Sequence, residues 1–399
     1  MNVAVLGYGT VGSGVVEVLT KNQDSIDVKA GKEIRIKYIL DLRDFPEDPH
    51  KDKIIHDFSI ISKDTSIGIV VETMGGVHPA YEFVKECLEK GKSVCTSNKE
   101  LVAKHGAELL SIAKEKKVNF LFEASVGGGI PIIRPLNQSL TADKILEISG
   151  ILNGTTNYIL TKMTQEGLDF HTVLKDAQEK GYAERNPEAD IEGYDACRKI
   201  AILTSLAYGK QVDYEDIYTE GITGITDLDI KYAKELDASI KIFGMSKITD
   251  TGIIAMVAPF LINKAHPLFM VNDVFNGIFV KGNMLGEAMF YGRGAGKLPT
   301  ASAVVADVVD AAKHEGTTIM TIWSKEKLEL AKIDSAAFRR FVRVKDGFHI
   351  AGTFGNVQVL KSQAEKERAF LTRPMTEADY QKIASTNDGI LSMIRLDFK

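Results

Sequence analysis

Residues 2–19, NVAVLGYGTVGSGVVEVL, join an apolar strand pattern to a helical pattern through three glycines spaced as GxGxxG. In a dinucleotide-binding unit the first glycine permits a tight turn, the second lets the backbone approach a pyrophosphate, and the third lets helix and strand pack closely. The helix N-terminus then offers N–H groups and a positive dipole end to the phosphates. An ordinary glycine turn is the alternative. The predicted cofactor-binding residues of this stretch are Gly7, Gly9, Thr10, Val11 and Gly12.

The second strand pattern, EIRIKYIL at residues 33–40, ends directly before Asp41. An acidic residue at this position binds the ribose 2′-hydroxyl of NAD, whereas a nearby arginine suits the 2′-phosphate of NADP. Arg43 follows closely, so both signals are present and the sequence leaves the choice of cofactor open. A solvated loop with charges of both signs is the alternative.

Strand and helix patterns continue to alternate through the first third of the chain, which predicts a mostly parallel sheet. Ligands bind at the carboxyl ends of such strands, and this places residues 72–76, 97–99 and 123–130 around one crevice. Lys99 leaves a strand there and is suited to contact a phosphate, a carboxylate or a reacting oxygen. A surface lysine at a helix start is the alternative.

The glycine-rich segment after Glu123, ASVGGG, is predicted to follow a strand as an open turn. Such a turn exposes carbonyl oxygens, which together with a carboxylate are suitable ligands for a hard cation. A glycine turn used for packing is the alternative.

The stretch at residues 181–199, GYAERNPEADIEGYDACRK, is rich in carboxylates. Pro187 interrupts helix formation, so we predict an extended loop at residues 184–192. Asp195 and Lys199 stand four residues apart at the start of the next helix and therefore share a face. A surface pair of this kind stabilises a helix by only about 0.2–0.5 kcal/mol, and that reading is the alternative.

The helix that begins at this stretch is largely apolar over residues 200–207, which predicts that much of its surface is buried. A lysine in the first turns of a buried helix needs an oppositely charged partner, and Asp195 is the nearest candidate for Lys199. Glu184 and Asp190 would complete a polar pocket. The predicted burial of this helix thus supports a polar pocket as the second reading of the acidic stretch, beside the solvated surface pair.

The remaining patterns predict how the domains are connected. Strand patterns occupy residues 252–262 and 273–282, and glycines at 292, 294 and 296 form a second close-approach loop. The helix pattern at 301–314 is typical of a return to the first domain. We predict a nucleotide-binding domain at 1–135 plus 298–330, with a substrate-binding and dimerisation domain inserted at 136–297.

Composition limits the function classes. The chain has 399 residues, with 44% hydrophobic and 26% charged residues, which is typical of a soluble globular protein. A net charge of −5 gives no argument for nucleic acid or for a membrane surface as a partner. The three cysteines form no CxxC pair, and reduced thiols favour a cytoplasmic location.

Six motifs in order resemble the homoserine dehydrogenase family, from the first residue to about residue 314. They are GYGTVGSGVV at 7–16, VCTSNKEL at 94–101, FEASVGGGIPII at 122–133, ILNGTTNYIL at 151–160, the stretch at 181–199, and MFYGRGAGKLPTASAVVADV at 289–308. The resemblance implies reversible interconversion of L-homoserine and L-aspartate 4-semialdehyde with NAD or NADP, on the branch toward threonine, methionine and isoleucine. It also implies a homodimer.

The resemblance implies roles for individual residues. Lys199 would be the acid–base residue, with Asp195 beside it and Lys99 near the reacting hydroxyl. Glu184 and Asp190 would bind substrate, together with Tyr182 and Thr155. Ser97, Lys99 and Gly294 would join the cofactor-binding residues. A monovalent cation, usually sodium, would be bound by Glu123, Val126, Gly128 and Ile130.

The chemistry of lysine fits a proton-transfer role with a preferred direction. A lysine has an ordinary pKa near about 10.4 and is a poor base at neutral pH. In the reductive direction it would act mainly as an acid toward the carbonyl oxygen. Lys99 would stabilise the alkoxide electrostatically. Which lysine transfers the proton is left open by the sequence.

Residues 338–399 resemble a shortened ACT domain in which the opening strand, the late helix and the final strand are recognisable. The usual first helix is predicted to be missing and replaced by a glycine-rich, strand-like stretch. The complete predicted fold is therefore α/β, with a Rossmann-type domain, an inserted α+β domain and a small α+β C-terminal domain. A dimer-supporting or vestigial module is favoured over an amino-acid effector site that binds threonine.

Two rival functions have distinct requirements. A dehydrogenase with a catalytic cysteine would need a reactive thiol, and Cys95 comes nearest, although it lies inside a strand pattern. A non-enzymatic NAD(P) sensor would bind the cofactor and leave homoserine unchanged.

Overall fold

The first sheet is built from short, buried strands rich in valine and isoleucine. In the computed structural model, which describes residues 1–398, these strands are β1 (Asn2–Leu6), β2 (Arg35–Leu40), β3 (Ile54–Ile55), β4 (Ile67–Glu72), β5 (Ser93–Thr96) and β6 (Phe120–Leu121). Their order is β3-β2-β1-β4-β5-β6, and the neighbouring strands are parallel. The strand order reverses between β1 and β4, which is where this fold binds dinucleotides.

Helices connect these strands and cover the sheet. They are α1 (Thr10–Lys21), α2 (Gln23–Ala30), α3 (Phe58–Lys63), α4 (Ala80–Glu89), α5 (Lys99–Lys116) and the short α6 (Ala124–Gly127). A π-helical turn at Pro135–Ser139 follows. The apolar face of α1 buries Val15, Val16 and Leu19 in one core with Val3 and Val5 of β1. Burial of these side chains orients the N-terminus of α1 relative to the strand.

The middle of the chain contains longer strands. Its elements are β7 (Ile145–Ile151), α7 (Gly154–Glu166), α8 (Phe170–Glu179), α9 (Glu188–Ile191), α10 (Tyr194–Tyr208), β8 (Lys210–Gln211), β9 (Tyr218–Thr219), α11 (Asp227–Glu235), β10 (Ala238–Thr249), β11 (Gly252–Asn263), β12 (Phe275–Gly282) and β13 (Gly286–Arg293). Strands β10 and β11 pair antiparallel along their full length as one long hairpin.

The last part of the chain contributes a helix to the core of the first sheet and strands to a second sheet. Its elements are α12 (Lys297–Lys313), β14 (Ser324–Lys327), β15 (Ala337–Lys345), α13 (Ile350–Phe354), β16 (Gln358–Val359), β17 (Glu367–Leu371), β18 (Met375–Thr376), α14 (Glu377–Ala384) and β19 (Ile390–Leu396). Helix α12 shares the first core with α1, through Ala301, Val304 and Val308. Helix α12 therefore packs with the first sheet, to which the sequence pattern predicted that it would return.

A second, mixed sheet has 11 strands, nine of them in the order β13-β12-β7-β10-β11-β19-β15-β17-β16. Strand β19 joins the long hairpin to the C-terminal strands, because it pairs parallel with β11 and antiparallel with β15. Phe243, Met256 and Phe260 lie in the core of this sheet. The parallel first sheet and the mixed second sheet confirm the predicted α/β fold class.

The chain forms two compact units. The first contains Met1–Lys144, Ala201–Tyr214 and Gly292–Leu328. The second contains Ile145–Ile200, Glu215–Tyr291 and the residues from Glu329 onward. Within residues 1–398, no helix has the length and apolar character required to cross a membrane.

Four local predictions were wrong. The polar residues 153–157, NGTTN, predict a turn before the next helix, but they form the N-cap and first turn of α7 itself, with Asn153 as the N-cap. Pro187 begins the short helix α9 instead of preventing it, as proline does at helix starts. Strand β13 was missed, because its glycines weaken the strand pattern. The C-terminal segment has a short first helix, α13, where none was predicted.

Candidate active site

The GxGxxG turn has the geometry expected of a phosphate-binding loop. Gly7 has φ +91°, and a Cβ atom on Gly12 would lie 1.9 Å from the Gly7 carbonyl oxygen. A Cβ atom on Gly9 would meet nothing within 4 Å. Helix α1 begins at Thr10 with Gly9 as its N-cap, and no side chain caps it. Its first N–H groups, including that of Val11, therefore face space in which an anion would fit.

A cleft of about 560 Å³ adjoins this turn, and Gly7, Gly9, Asp41 and Arg43 are among the residues that line it. The Asp41 carboxylate accepts the N–H of Tyr8 at 2.8 Å and two guanidinium N–H groups of Arg43 at 2.9 Å each. The hydrogen bonds from Arg43 hold the pKa of Asp41 well below its usual range. Both residues predicted to select the cofactor therefore lie together at one cleft.

The cleft is also lined by residues outside the fingerprint turn. Thr73, in the segment 72–76 that was predicted to lie here, donates its hydroxyl to the carbonyl oxygens of Leu6 and Gly7. Phe58 and Phe83 also line the cleft and stack with their ring centroids 3.9 Å apart. These two phenylalanines were not predicted to line the cleft, because they lie in two different helices and no local sequence pattern joins them.

Strand β5 leads into the predicted Ser97–Lys99 segment. Asn98 caps α5 by accepting the Leu101 N–H, and the Ser97 N–H donates to the Glu72 carbonyl oxygen at 3.4 Å. Lys99 is the first residue of α5 and is partly exposed. The segment thus lies at the carboxyl end of the first sheet, as predicted. Glu72 is buried there, and its burial raises its pKa.

The segment predicted to bind a cation is not the open turn expected. Residues Ala124–Gly127 form the helical turn α6, and Gly128 has φ +56°. The Glu123 carboxylate accepts the backbone N–H groups of Ile132, Ile133 and Arg134 at 2.6, 2.8 and 2.7 Å. The prediction of an open glycine turn was wrong because the Glu123 carboxylate binds three successive backbone N–H groups and thereby fixes the conformation of residues 132–134.

The predicted cation ligands are residues of this turn or of its immediate flanks. Among residues 1–398, no group of three or more histidine, cysteine or acidic side chains could hold a metal ion. Val126, Gly128 and Ile130, the residues predicted to bind a cation together with Glu123, are buried. Gly294 packs against this turn, since a Cβ atom on Gly128 would lie 2.2 Å from the carbonyl oxygen of Gly294.

A buried charge cluster supports the same turn and was missed from the sequence. Arg134 pairs with Asp307 at 2.6 Å and with Asp310 at 2.7 Å, and the Glu123 N–H donates to Asp307 at 2.8 Å. Burial and the neighbouring Glu123 charge raise the pKa of Asp307 to about 8, while Arg134 opposes this shift. These partners are far apart in sequence, so no spacing rule could have paired them.

The second unit contains a buried lysine held between two oxygen atoms. Lys199 Nζ donates to Asp195 Oδ2 and to the carbonyl oxygen of Leu152, both at 2.7 Å. Asp195 is 5% exposed and Lys199 is 9% exposed. The predicted pairing of these residues on one face of α10 is confirmed by this geometry.

Asn153 connects this pair to Asp190. Its Nδ2 donates to Asp190 Oδ1 at 2.7 Å and to Asp195 Oδ2 at 2.9 Å. Its Oδ1 accepts the Thr156 N–H, which caps α7. Asn153 belongs to the motif at residues 151–160, but it was not predicted as a site residue. Its position between a strand and a helix start was the available signal, since asparagine is a preferred N-cap.

The other predicted substrate residues lie around residues 181–193. The Thr155 hydroxyl donates to the Tyr182 carbonyl oxygen at 2.6 Å, and the Tyr182 side chain is 44% exposed. Glu184 is exposed, and Gln178 holds its backbone carbonyl. The structure therefore brings Asp190, Asp195 and Lys199 together but does not bring the Glu184 carboxylate to them.

The three thiols are unsuited to nucleophilic catalysis. All are buried, and none forms a disulfide in the described chain. Burial raises the pKa of Cys87 to about 12 and raises those of Cys95 and Cys197 as well. A thiolate nucleophile is disfavoured at all three positions.

Comparison with known proteins identifies the family. Residues 7–123 match the profile of the homoserine dehydrogenase NAD-binding domain, and residues 131–309 match the profile of the homoserine dehydrogenase domain. A homoserine dehydrogenase of Bacillus subtilis is 43% identical over 317 residues, which cover 79% of this chain and 73% of the relative. The chain belongs to the homoserine dehydrogenase family.

Solved homoserine dehydrogenases have the same fold. The crystal structure of the enzyme from Thiobacillus denitrificans aligns with a TM-score of 0.92 at 34% identity, over 100% of this chain and 98% of that one. A hyperthermophilic archaeal homoserine dehydrogenase in complex with NADPH aligns with a TM-score of 0.67 at 28% identity. The archaeal match covers 78% of this chain and 97% of that one. This homoserine dehydrogenase is accordingly an NAD(P)-dependent oxidoreductase.

Proposed function

We propose that this homoserine dehydrogenase interconverts L-homoserine and L-aspartate 4-semialdehyde through the buried cluster of Lys199, Asp195, Asn153 and Asp190. The observation that carries the proposal is the Lys199–Asp195 pair, 2.7 Å apart and nearly inaccessible to water. An ammonium group in such a position has a fixed direction and is well placed to stabilise charge on a reacting oxygen.

Lys199 supplies the proton in the reductive direction. Its ammonium group has three N–H donors. Asp195 and Leu152 accept two of them, and the structure describes no further hydrogen bond from this group. The third N–H is the donor to the aldehyde oxygen, which becomes the hydroxyl of homoserine. Lys99 stabilises the negative charge that develops on the same oxygen.

Asp190 and Glu184 bind the ammonium group of the substrate. Asp190 is held in place by Asn153, and an anion there suits an amino-acid substrate. The exposed Glu184 carboxylate is available to close on the substrate. Thr155 and Tyr182 form the adjoining wall of the site, supported by their 2.6 Å hydrogen bond.

The cofactor is NAD or NADP and supplies or accepts the hydride. Gly7, Gly9 and the start of α1 at Thr10, Val11 and Gly12 hold its pyrophosphate. Asp41 and Arg43 receive the adenosine ribose and its 2′ substituent. Ser97, Lys99 and Gly294 complete the proposed cofactor site.

The turn at residues 123–130 binds sodium in this proposal. The backbone oxygens of Val126, Gly128 and Ile130 are its ligands, together with Glu123, whose carboxylate shapes the turn. The role of the ion is to stabilise the loop geometry.

The protein is proposed to be a cytoplasmic homodimer. Support for the dimer comes from β13, the terminal strand of the second sheet, where Met289 and Tyr291 are 39% and 54% exposed. The buried thiols support a reducing location. We also propose the domain division 1–135 plus 298–330, 136–297 and 338–399, the last as a shortened ACT-like module that supports the dimer.

The reaction is tested by absorbance of the reduced nicotinamide with L-homoserine, using NAD and NADP separately, for wild type and Lys199→Ala. We expect homoserine-dependent reduction in the wild type and its loss in the variant. A folded wild-type protein that binds cofactor but reduces neither NAD nor NADP would contradict the proposed reaction and favour a cofactor sensor.

A further inference from the structure

A buried charge cluster near the C-terminus contains two guanidinium groups and two carboxylates. Arg395 pairs with Glu377 at 2.6 Å and with Glu220 at 2.7 Å, and Arg340 pairs with Glu377 at 2.7 Å. Both arginine side chains are 0% exposed. Because the two positive charges are balanced by two carboxylates, Glu220 is needed to neutralise the cluster.

Glu220 belongs to a short strap, residues 217–222, which lies beside β11. Its N–H donates to the Val257 carbonyl oxygen at 2.8 Å, directly after the pairing of β9 with β11. The Tyr218 hydroxyl donates to Glu220 at 3.1 Å and lies 3.3 Å from Arg395. The strap is thus fixed on one side by the C-terminal charge cluster.

The other side of the strap contacts the segment that carries Asp190. The Ile222 N–H donates to the Ile191 carbonyl oxygen at 2.8 Å. A Cβ atom on Gly221 would lie 2.3 Å from that same oxygen and 2.6 Å from Glu192 Cα. Only glycine allows the two backbones to approach this closely. A displacement of the strap is therefore transmitted directly to α9.

We propose that Arg395 and Glu220 are positioning residues for substrate binding, because they hold the strap at 217–222 against the segment that carries Asp190. The inference rests on the proposed role of Asp190 in binding homoserine. It makes the C-terminal module part of the support of the substrate site. The module reaches the strap through the contacts of Arg395 with Glu220 and Tyr218, and the strap reaches the site through the Ile222–Ile191 hydrogen bond and the close approach at Gly221.

The test uses Glu220→Gln and Tyr218→Phe in the full-length protein. Both variants weaken the attachment of the strap to Arg395 without changing a substrate-binding residue. We expect the KM for homoserine to rise about tenfold in Glu220→Gln, equivalent to about 1.4 kcal/mol, and by a smaller factor in Tyr218→Phe, while kcat at saturation and the KM for the cofactor change less than about twofold in both. The milder Tyr218→Phe keeps the test valid if Glu220→Gln folds poorly.

Glu367→Gln is the matched control. Glu367 accepts a hydrogen bond from the Nη1 atom of Arg343 at 2.9 Å and is 27% exposed, whereas Glu220 accepts one from Nη1 of Arg395 at 2.7 Å and is 32% exposed. Glu367 lies on β17, among the C-terminal strands. A similar rise in KM in this control would show a general effect of loosening the module and would overturn the proposal.

Hydrogen exchange of the ligand-free proteins separates this inference from the proposed reaction. We expect faster exchange in peptides covering 188–193 and 218–222 in both test variants and wild-type exchange in Glu367→Gln. Unchanged exchange there, with a wild-type KM, would overturn the proposal. Because no substrate is present, faster exchange supports the strap contact even if wild-type protein failed to oxidise homoserine, a result that would refute the reaction instead.

Discussion

Lys199 and Asp195 form a 2.7 Å ion pair whose side chains are only 11% and 8% exposed. Lys231 and Asp227 have the same spacing on α11, but their side chains are 60% and 54% exposed. An exposed pair of this kind contributes about 0.2–0.5 kcal/mol, whereas a buried pair loses its hydration. Helix stability alone therefore does not explain the Lys199–Asp195 pair, and a role in the reaction is the explanation that we propose.

Lys199→Ala is expected to lower kcat by a factor of about 10² to 10⁴, the usual contribution of a positioned acid. Because the variant leaves the buried Asp195 carboxylate without its charged partner, the thermal unfolding temperature should also fall, and kcat is compared at a temperature at which both proteins are folded. Lys231→Ala is the control, because it removes a lysine from an equally spaced but exposed pair. Steady-state kinetics of both variants check the prediction, and equal effects on kcat would contradict it.

Asn153→Ser is expected to raise the KM for homoserine and to leave the fold nearly unchanged. Serine retains an N-cap oxygen for α7 but lacks the amide that binds Asp190 and Asp195. Asn153→Ala loses both functions and should also destabilise the protein by about 1 kcal/mol. Kinetics and thermal unfolding of the two variants distinguish the roles. A wild-type KM in Asn153→Ser would show that the amide is dispensable.

Arg43→Ala is expected to weaken NADP binding about 10- to 100-fold, since a hydrogen bond to a charged group contributes about 1.5–3 kcal/mol. NAD binding should change less, because Asp41 remains to bind the ribose. Titration of both cofactors checks this expectation. Arg35→Ala is the control, because Arg35 is an exposed, ion-paired arginine at the opposite end of β2. Equal losses for NAD and NADP would argue against a phosphate contact.

Gly9→Ala and Gly12→Ala are expected to fail in different ways. A Cβ atom at Gly12 would overlap the Gly7 carbonyl oxygen, so the backbone must shift at a cost of about 1–3 kcal/mol. The corresponding atom at Gly9 meets only open space, so this variant should unfold at the wild-type temperature but bind cofactor at least about tenfold more weakly. Unfolding without cofactor and cofactor titration are the measurements. Normal cofactor affinity in Gly9→Ala would place the pyrophosphate elsewhere.

Lys241 is expected to make stability depend on pH. It is buried in β10 and donates to the Val271 carbonyl oxygen at 2.6 Å and to Asn272 at 2.9 Å. Burial lowers the pKa of Lys241 to about 8 from 10.5. Between these values the unfolded chain binds a proton that the folded chain has released, so this group makes stability rise with pH by up to about 1.4 kcal/mol per unit.

Thermal unfolding at about pH 7.5 and 9.5 tests this sign, using Lys241→Met to remove the titrating group. The stability of wild type relative to the variant should increase at the higher pH. Lys247→Met is the control, because Lys247 lies on the same strand with a 45% exposed side chain. No change in the relative stability of wild type and Lys241→Met between these pH values would show that the lysine stays charged when buried.

Local spacing was sufficient to predict part of the site. The fingerprint glycines and the pair formed by Asp195 and Lys199 depend on residues within one turn or one helix, so their relation follows from backbone geometry. The apolar residues after Lys199 also indicated burial. These features could be read from the sequence because no distant part of the chain decides them.

Other features depend on the complete fold. Asn153 reaches Asp190 only because the end of β7 lies beside α9, and Arg134 reaches Asp307 only because α12 returns to the first sheet. Proline interrupts a helix interior but is tolerated at a helix start. The prediction for Pro187 assumed the first behaviour, whereas the structure shows the second. Propensity alone could not decide between these outcomes without the tertiary contacts of α9.

The position of β19 has a consequence for synthesis of the protein on the ribosome. This strand pairs with β11, which is made much earlier, and Arg395 on it completes the charge balance around Glu220. The edge of β11 next to β19 must therefore wait for the chain to be translated to residue 396. Contacts between such distant segments form slowly, and an unpaired strand edge promotes aggregation in the meantime. Synthesis of β19, rather than completion of the helices, is thus the step that allows the second sheet to close.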